Sequence, residues 1–188
     1  MPGAPETRSV AGFAASPKGV SPATTGRREQ SWNVESDAVF EKLVEAAQGA
    51  NVSLGTAESV TGGQLAYLIT GQPGAGDVFA GGIVAYETDV KRSLLDVPDG
   101  PVVSHQAARA MAAGARRLLH CDLVLSITGV AGPERQDGQP VGCVFIGLAF
   151  RDEPPTSGEH FFAGDPDQIR NSAATTAARI ALDRINGL

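Results

Sequence analysis

Cysteine and histidine are scarce and scattered in this 188-residue chain. Cys121 and Cys143 share no CxxC spacing, and His105, His120 and His160 stand apart, so the sequence offers neither a disulfide framework nor a metal-ligand set. Positive charge is in short supply as well. With Lys+Arg 15 against Asp+Glu 21 and a formal net charge of -6, the chain lacks the clustered basic face that nucleic acid requires, although a small anion needs only a few local donors. No apolar run approaches a membrane span, and the N-terminus has no compact apolar segment of a secretory signal, so a cytoplasmic protein without a membrane partner is expected. What remains is a hydrophobic content of 42%, enough over this length for one domain with a real core.

Residues 1–30 are dense in Pro, Gly, Ser, Ala and Thr, with few large apolar side chains. Such a segment cannot bury enough surface to offset its ordering entropy and reads as a disordered tail, leaving 31–188 as the domain. From Ser36, a candidate cap, Val39, Phe40, Leu43, Val44 and Ala47 recur at helical spacing until Gly49. "NVSLGTA" reads as a strand, followed by a loop and a helix stopped by Gly71. "VFAGGIVAY" is a second strand, after which Thr88 can cap the helix "DVKRSLLDV". Ser104 can cap "HQAARAMAAGARRLL", which leads into the buried strand "DLVLSIT". A Gly- and Pro-rich loop, the strand "VGCVFIGLAF" and the edge strand "SGEHFFAG" precede a last helix opened by Asp165 and Pro166. This alternation predicts a three-layer α/β arrangement.

In open α/β sheets, ligands bind at loops beyond the carboxyl ends of the strands. Three loops here fall in that position: "AESVTGG", "AYETDVK" and "TGVAGP". In the first, Ser59 precedes a helix start whose unpaired N–H groups around Thr61, Gly62 and Gly63 can form an oxyanion hole. Glu58 is a candidate orienting group beside it. In the second, Lys91 falls in the first turn of a helix, where the macrodipole and desolvation both favour the neutral amine, a base toward a serine hydroxyl. Tyr86 stands ready to orient that amine or relay a proton. In the third, backbone N–H groups from Thr128 through Gly129, Ala131 and Gly132 can cradle a phosphate or carboxylate.

Each of these features also has an ordinary structural reading: a helix cap, a surface lysine, a plain connection. Asp77 with Glu58 is a rival carboxylate pair for acid–base work or magnesium, and His105 falls in the first turn of its helix.

Taken jointly, "TAESVTGG", "GGIVAYETDVKRSLLDV", "VSHQAARAMAAGAR" and "SITGVAGP...PVG" resemble the CinA C-terminal domain family, whose enzymatic members are nicotinamide-nucleotide amidases. The likeness runs from about residue 36 to the C-terminus. It implies an α/β/α sandwich with a mixed, mostly parallel sheet. It also implies hydrolysis of the carboxamide of nicotinamide mononucleotide to nicotinate mononucleotide and ammonia, by a serine nucleophile with Tyr and Lys that map to Ser59, Tyr86 and Lys91. No cofactor and no metal are implied. The nucleotide phosphate falls to the Thr128–Gly132 loop, with Arg170, in a family-like "GDxxxIR" segment, at the edge. A stand-alone form that self-associates as a homodimer or larger homo-oligomer is expected. This chain departs from the family pattern at Val60, where many relatives have Cys, in the short link "VPDGPVVS", and in the compact loop after "AGP". A non-catalytic nucleotide- or partner-binding module and an amidase for another small carboxamide are the alternatives.

Overall fold

The computed structural model describes residues 34–188. The segment read as a disordered tail, residues 1–30, lies outside the described residues. Helix α1 (Val34–Ala50) is already helical at Val34, so Ser36 lies within it and is not its cap, a correction to the expected start. It ends one step past Gly49, where Asn51 takes a left-handed φ of 51°. The remaining elements are β1 (Leu54–Glu58), α2 (Gln64–Thr70), α3 (Ala75–Val78), β2 (Phe79–Val84), α4 (Thr88–Leu95), α5 (His105–Leu119), β3 (Leu123–Gly129), β4 (Cys143–Phe150), β5 (Thr156–Phe161) and α6 (Pro166–Asn186). The short α3 was not anticipated. Gly71 stops α2 as expected, and Ser104 caps α5 by accepting from the Ala107 N–H. Helix α6 opens with a full capping box between Asp165 and Gln168.

The strands form a five-stranded sheet in the order β2-β1-β3-β4-β5. β1 pairs parallel with β2 and with β3, whereas β4 runs antiparallel to both β3 and β5. The sheet is therefore mixed, with β4 alone reversed. Central β3 and β4 are buried along their whole length, as strands covered on both faces must be, while β2 and β5 alternate in exposure at the two edges.

Side-chain alternation along β3 shows how the layers are held. Leu123, Leu125 and Ile127 join the core under α1 and α6, where Phe40, Leu43, Ala173, Ala177 and Ala181 pack. Val124 faces the opposite core, with Met111, Ala112 and Ala115 of α5. Helices thus cover both faces, giving a three-layer α/β/α sandwich.

The α5 layer approaches the sheet closely at Gly147, because a Cβ there would come 2.5 Å from the Ala108 carbonyl oxygen and 2.4 Å from Ser126 Oγ. Ser126 Oγ in turn donates to that same carbonyl at 2.6 Å. Gly147→Ala must push α5 outward and is expected to destabilise the fold by about 1–3 kcal/mol, the usual range for overpacking. Urea unfolding of wild type and variant measures this directly, and an unchanged midpoint would contradict the close packing.

Candidate active site

Because β1, β2 and β3 run in the same direction, the loops leaving them gather at one end of the sheet. The chain passes from β1 outward to β2 and then back across to β3 on the other side of β1. The end of β1 is therefore a topological switch point, the place where open α/β sheets leave a crevice. Ser59, Val60, Tyr86, Gly129, Ala131 and Arg170 all line one cleft of about 270 Å³ at this end.

The turn that carries Ser59 is fixed from beneath by Glu58. Its side chain is fully buried. Oε2 accepts from the N–H groups of Gly63 at 3.1 Å and Leu65 at 3.0 Å, while Oε1 accepts from the Ala66 N–H at 2.8 Å and from Thr56 Oγ1 at 3.2 Å. These backbone donors are the otherwise orphaned groups at the start of α2, so the carboxylate acts as a helix cap placed on the preceding strand. Gly63, at φ 101°, is the N-cap residue and needs the left-handed conformation that glycine tolerates.

This geometry corrects the expected oxyanion donors. The Gly63 N–H is committed to Glu58 and the Gly62 N–H to the Ser59 carbonyl at 3.0 Å. Ser59's own N–H donates to the Ile127 carbonyl. Within the turn, the Val60 and Thr61 N–H groups are the ones without a hydrogen bond among the described residues. Ser59 is 8% exposed and Thr61 4%, and the Thr61 hydroxyl is buried without a partner among the described residues.

The second loop leaves β2 alongside this turn: the register places Glu58 opposite Val84, and the Ala85 N–H donates to the Glu58 carbonyl at 2.8 Å. Helix α4 has Glu87 as its N-cap, not Thr88, and no side-chain cap bond. Lys91 therefore stands one position deeper in the helix than expected. It is only 2% exposed, and its Nζ donates to the Tyr86 carbonyl oxygen at 2.6 Å. Tyr86 thus holds the amine through its backbone, while the residue as a whole is 68% exposed and lines the cleft. Burial pushes the Lys91 pKa below lysine's ordinary 10.5, against the opposing charges of Glu87 and Asp137.

In the third loop the structure separates Thr128 from the cleft. Its side chain is buried, and its hydroxyl donates to the Val102 carbonyl at 2.7 Å, so it braces the segment before α5 and is not free for a ligand. Gly129, Ala131 and Gly132 do reach the cleft wall. Asp137 grips the same segment from the far side of the loop, accepting from the Val102 N–H at 2.7 Å and the Val103 N–H at 2.9 Å. Arg170, in the first turns of α6, faces the cleft while paired with Asp167. Gln64 at the start of α2 hydrogen-bonds Asn171, tying Arg170's helix to the serine turn.

Glu87, Glu134, Gln136 and Asp137 were missed by the sequence reading. They sit in loops whose excursions only the fold brings together, and no spacing rule marks them. Conversely, the rival pair of Glu58 and Asp77 is pulled apart: Asp77 accepts from Gln48 and lines a different cavity with Ser53 and Asp122, before the start of β1. His105 contacts Ser157 and packs edge-on to Phe145, away from the cleft. Glu58→Gln replaces an acceptor oxygen by a second donor facing the same N–H groups. It is expected to cost about 2–3 kcal/mol in chemical denaturation, since bonds to charged groups are strong and an orphaned buried donor is expensive; a loss below about 0.5 kcal/mol would contradict the capping role.

The comparisons with known proteins bear on the whole of this domain. Residues 36–185 match the CinA C-terminal domain. A competence-damage inducible protein of Halalkalibacterium halodurans is 38% identical over 159 residues, covering 82% of this chain and 38% of that protein. One from Lactiplantibacillus plantarum is 35% identical over 157 residues, covering 81% and 37%. The chain thus spans well under half the length of the curated relatives it matches. Among solved structures, a CinA-superfamily protein of Klebsiella pneumoniae superposes with a TM-score of 0.78 at 26% identity, covering 81% of this chain and 99% of that one. A competence/damage inducible protein of Agrobacterium tumefaciens gives 0.77 at 27% identity, covering 82% and 97%. Sequence and fold agree, and the chain belongs to the CinA C-terminal domain family.

Proposed function

We infer that the cleft hydrolyses the carboxamide of nicotinamide mononucleotide, releasing ammonia and nicotinate mononucleotide, with Ser59 as nucleophile. The observation that carries this reading is a serine on a strand-to-turn junction in the cleft wall together with a lysine withdrawn from water and held by the carbonyl of Tyr86, which lines the same cleft. The family resemblance supplies the substrate, and the chemistry of the residues supplies the steps.

Neutral Lys91 accepts the Ser59 hydroxyl proton as the oxygen attacks the amide carbon. The carbonyl oxygen gains the negative charge, for which the Val60 and Thr61 N–H groups are the candidate donors. Collapse breaks the C–N bond, and the Lys91 ammonium returns its proton to the leaving ammonia. Water then attacks the acyl-serine, giving a proton to Lys91; collapse breaks the bond between the acyl carbon and Ser59 Oγ, Lys91 returns that proton to Oγ, and the product acid gives its remaining proton to solvent and departs as the carboxylate. The backbone at Gly129 to Gly132 and the Arg170 guanidinium are the candidates for the phosphate end. A homo-oligomer in the cytoplasm belongs to the same reading.

Ser59→Ala and the volume-matched Lys91→Met are each expected to lower ammonia release by about a thousandfold or more, as losses within a nucleophile–base unit do. Native circular dichroism and unfolding midpoints separate this from misfolding. Folded wild-type protein that binds the nucleotide without releasing ammonia would mark a non-catalytic module.

Because the base must be neutral, kcat/KM is expected to rise with pH through the Lys91 pKa, on a limb centred below 10.5. Asp137 raises that pKa, so Asp137→Asn, which keeps an acceptor oxygen for Val102 and Val103, shifts the limb to lower pH. A limb that stays in place or moves upward would remove Lys91 from the role of base.

A further inference from the structure

The cleft is unusual in its balance of charge. Glu87 leaves the end of β2 and Glu134 lies in the loop after β3, so the two carboxylates enter from the strands on either side of the one that carries Ser59. Both are exposed, neither carboxylate forms an ion pair within 4.0 Å among the described residues, and the charge of Glu87 acts on the nearby Lys91 amine. The cationic residue on the cleft wall, Arg170, is already compensated by Asp167. Tyr86, next to Glu87 in sequence and 68% exposed, adds an aromatic residue to the same lining. The lining of the cleft thus holds two carboxylates against one guanidinium, although the proposed substrate carries a phosphate. With Lys91 neutral, as the proposed mechanism requires, carboxylates outside ion pairs beside an exposed aromatic residue are the chemistry that binds a flat cation.

We propose that Glu87, Glu134 and the Tyr86 ring make this cleft selective for a carboxamide carried on a cationic, N-substituted pyridinium ring over the same carboxamide on a neutral ring. The inference rests on the amidase reading of the same cleft and adds what the site recognises. At neutral pH the ring nitrogen of nicotinamide carries a formal positive charge only when it is N-substituted, as it is in the nucleotide, so the carboxylates distinguish the nucleotide from free nicotinamide at the ring itself. Tyr86 offers its face to that ring, and the phosphate is left to Arg170 and the Gly129–Gly132 backbone. A neutral amide gains nothing from Glu87 and Glu134, and a free anion is repelled by them.

The test measures binding separately from turnover. Folded Ser59→Ala protein is titrated calorimetrically with nicotinamide mononucleotide and with its reduced 1,4-dihydro form, which keeps the ribose, phosphate and carboxamide but loses the ring charge. The oxidised form is expected to bind more tightly. Glu87→Gln with Glu134→Gln in the same background should weaken it about three- to tenfold, the scale of two partly screened ion contacts. The reduced form should move less than about twofold, and the contrast should shrink as salt rises. Glu134→Gln alone, at an exposed loop position, provides the comparison least exposed to folding effects.

Equal affinity for the two forms, equal losses for both in the Gln variants, or binding of neither would overturn the proposal. Failure of the amidase reading looks different: wild-type protein would bind the oxidised form preferentially and release no ammonia.

Discussion

The site hangs on the burial of one carboxylate. Withdrawing Glu58 from water costs several kcal/mol, and the positive end of α2 with its unpaired N–H groups is what compensates it. The bonds from Gly63, Leu65 and Ala66 make strand, turn and helix a single unit, so the turn cannot relax without orphaning both the carboxylate and the helix start. Ser59 emerges from that unit with its own N–H held by β3. The same bonding removes Gly62 and Gly63 from the pool of free donors and leaves Val60 and Thr61. A residue that looks like a reactive acid beside a serine is therefore a structural anchor, and its influence on chemistry passes through the backbone.

The sheet supplies the next constraint. Three parallel strand ends can converge only where β1 lies between its two neighbours, and the reversed β4 forces the chain after β3 to turn back on itself. That return is the loop carrying Gly132, Glu134 and Asp137. It is not left loose: Asp137 binds the Val102 and Val103 N–H groups while Thr128, at the loop's root, binds the Val102 carbonyl. The segment leading into α5 thus clamps the wall opposite Tyr86, and the cleft is held by backbone contacts on both sides.

Much of this was legible in the sequence because it rests on local rules. Ser104 before an Ala-rich helix, Asp165–Pro166 before the last one, and continuous apolar runs for β3 and β4 declare themselves by periodicity and capping chemistry. Ser59, Tyr86, Gly129, Ala131 and Gly132 could be assembled because loops after parallel strands share an end, whereas Arg170, on α6, came only from the family resemblance. What was not legible depends on hydrogen-bond competition. Whether the Gly63 N–H faces a ligand or Glu58, and whether Thr128 faces the cleft or Val102, turns on side-chain direction that spacing does not encode. The same holds for Tyr86, whose carbonyl rather than phenol meets Lys91. Glu87 and Glu134 gave no signal, since an acidic residue in a polar loop reads as solvated until the fold places it beside a serine.

The electrostatics of Lys91 connect these observations. Burial favours the neutral amine, while Glu87 and Asp137 favour the ammonium, so in the proposed mechanism the base is held back by the same acidic character that the cleft presents to a ligand. A cationic ring, the occupant proposed above, reverses part of that balance on arrival. Its charge offsets the carboxylates and disfavours a second cation nearby, so the proton on Lys91 is less tightly held when substrate is present than when water fills the site. A neutral amide brings no such change. In the proposed mechanism, recognition of the ring charge and activation of the base then draw on the same electrostatic balance, and the cleft need not hold a free amine at full reactivity before substrate arrives.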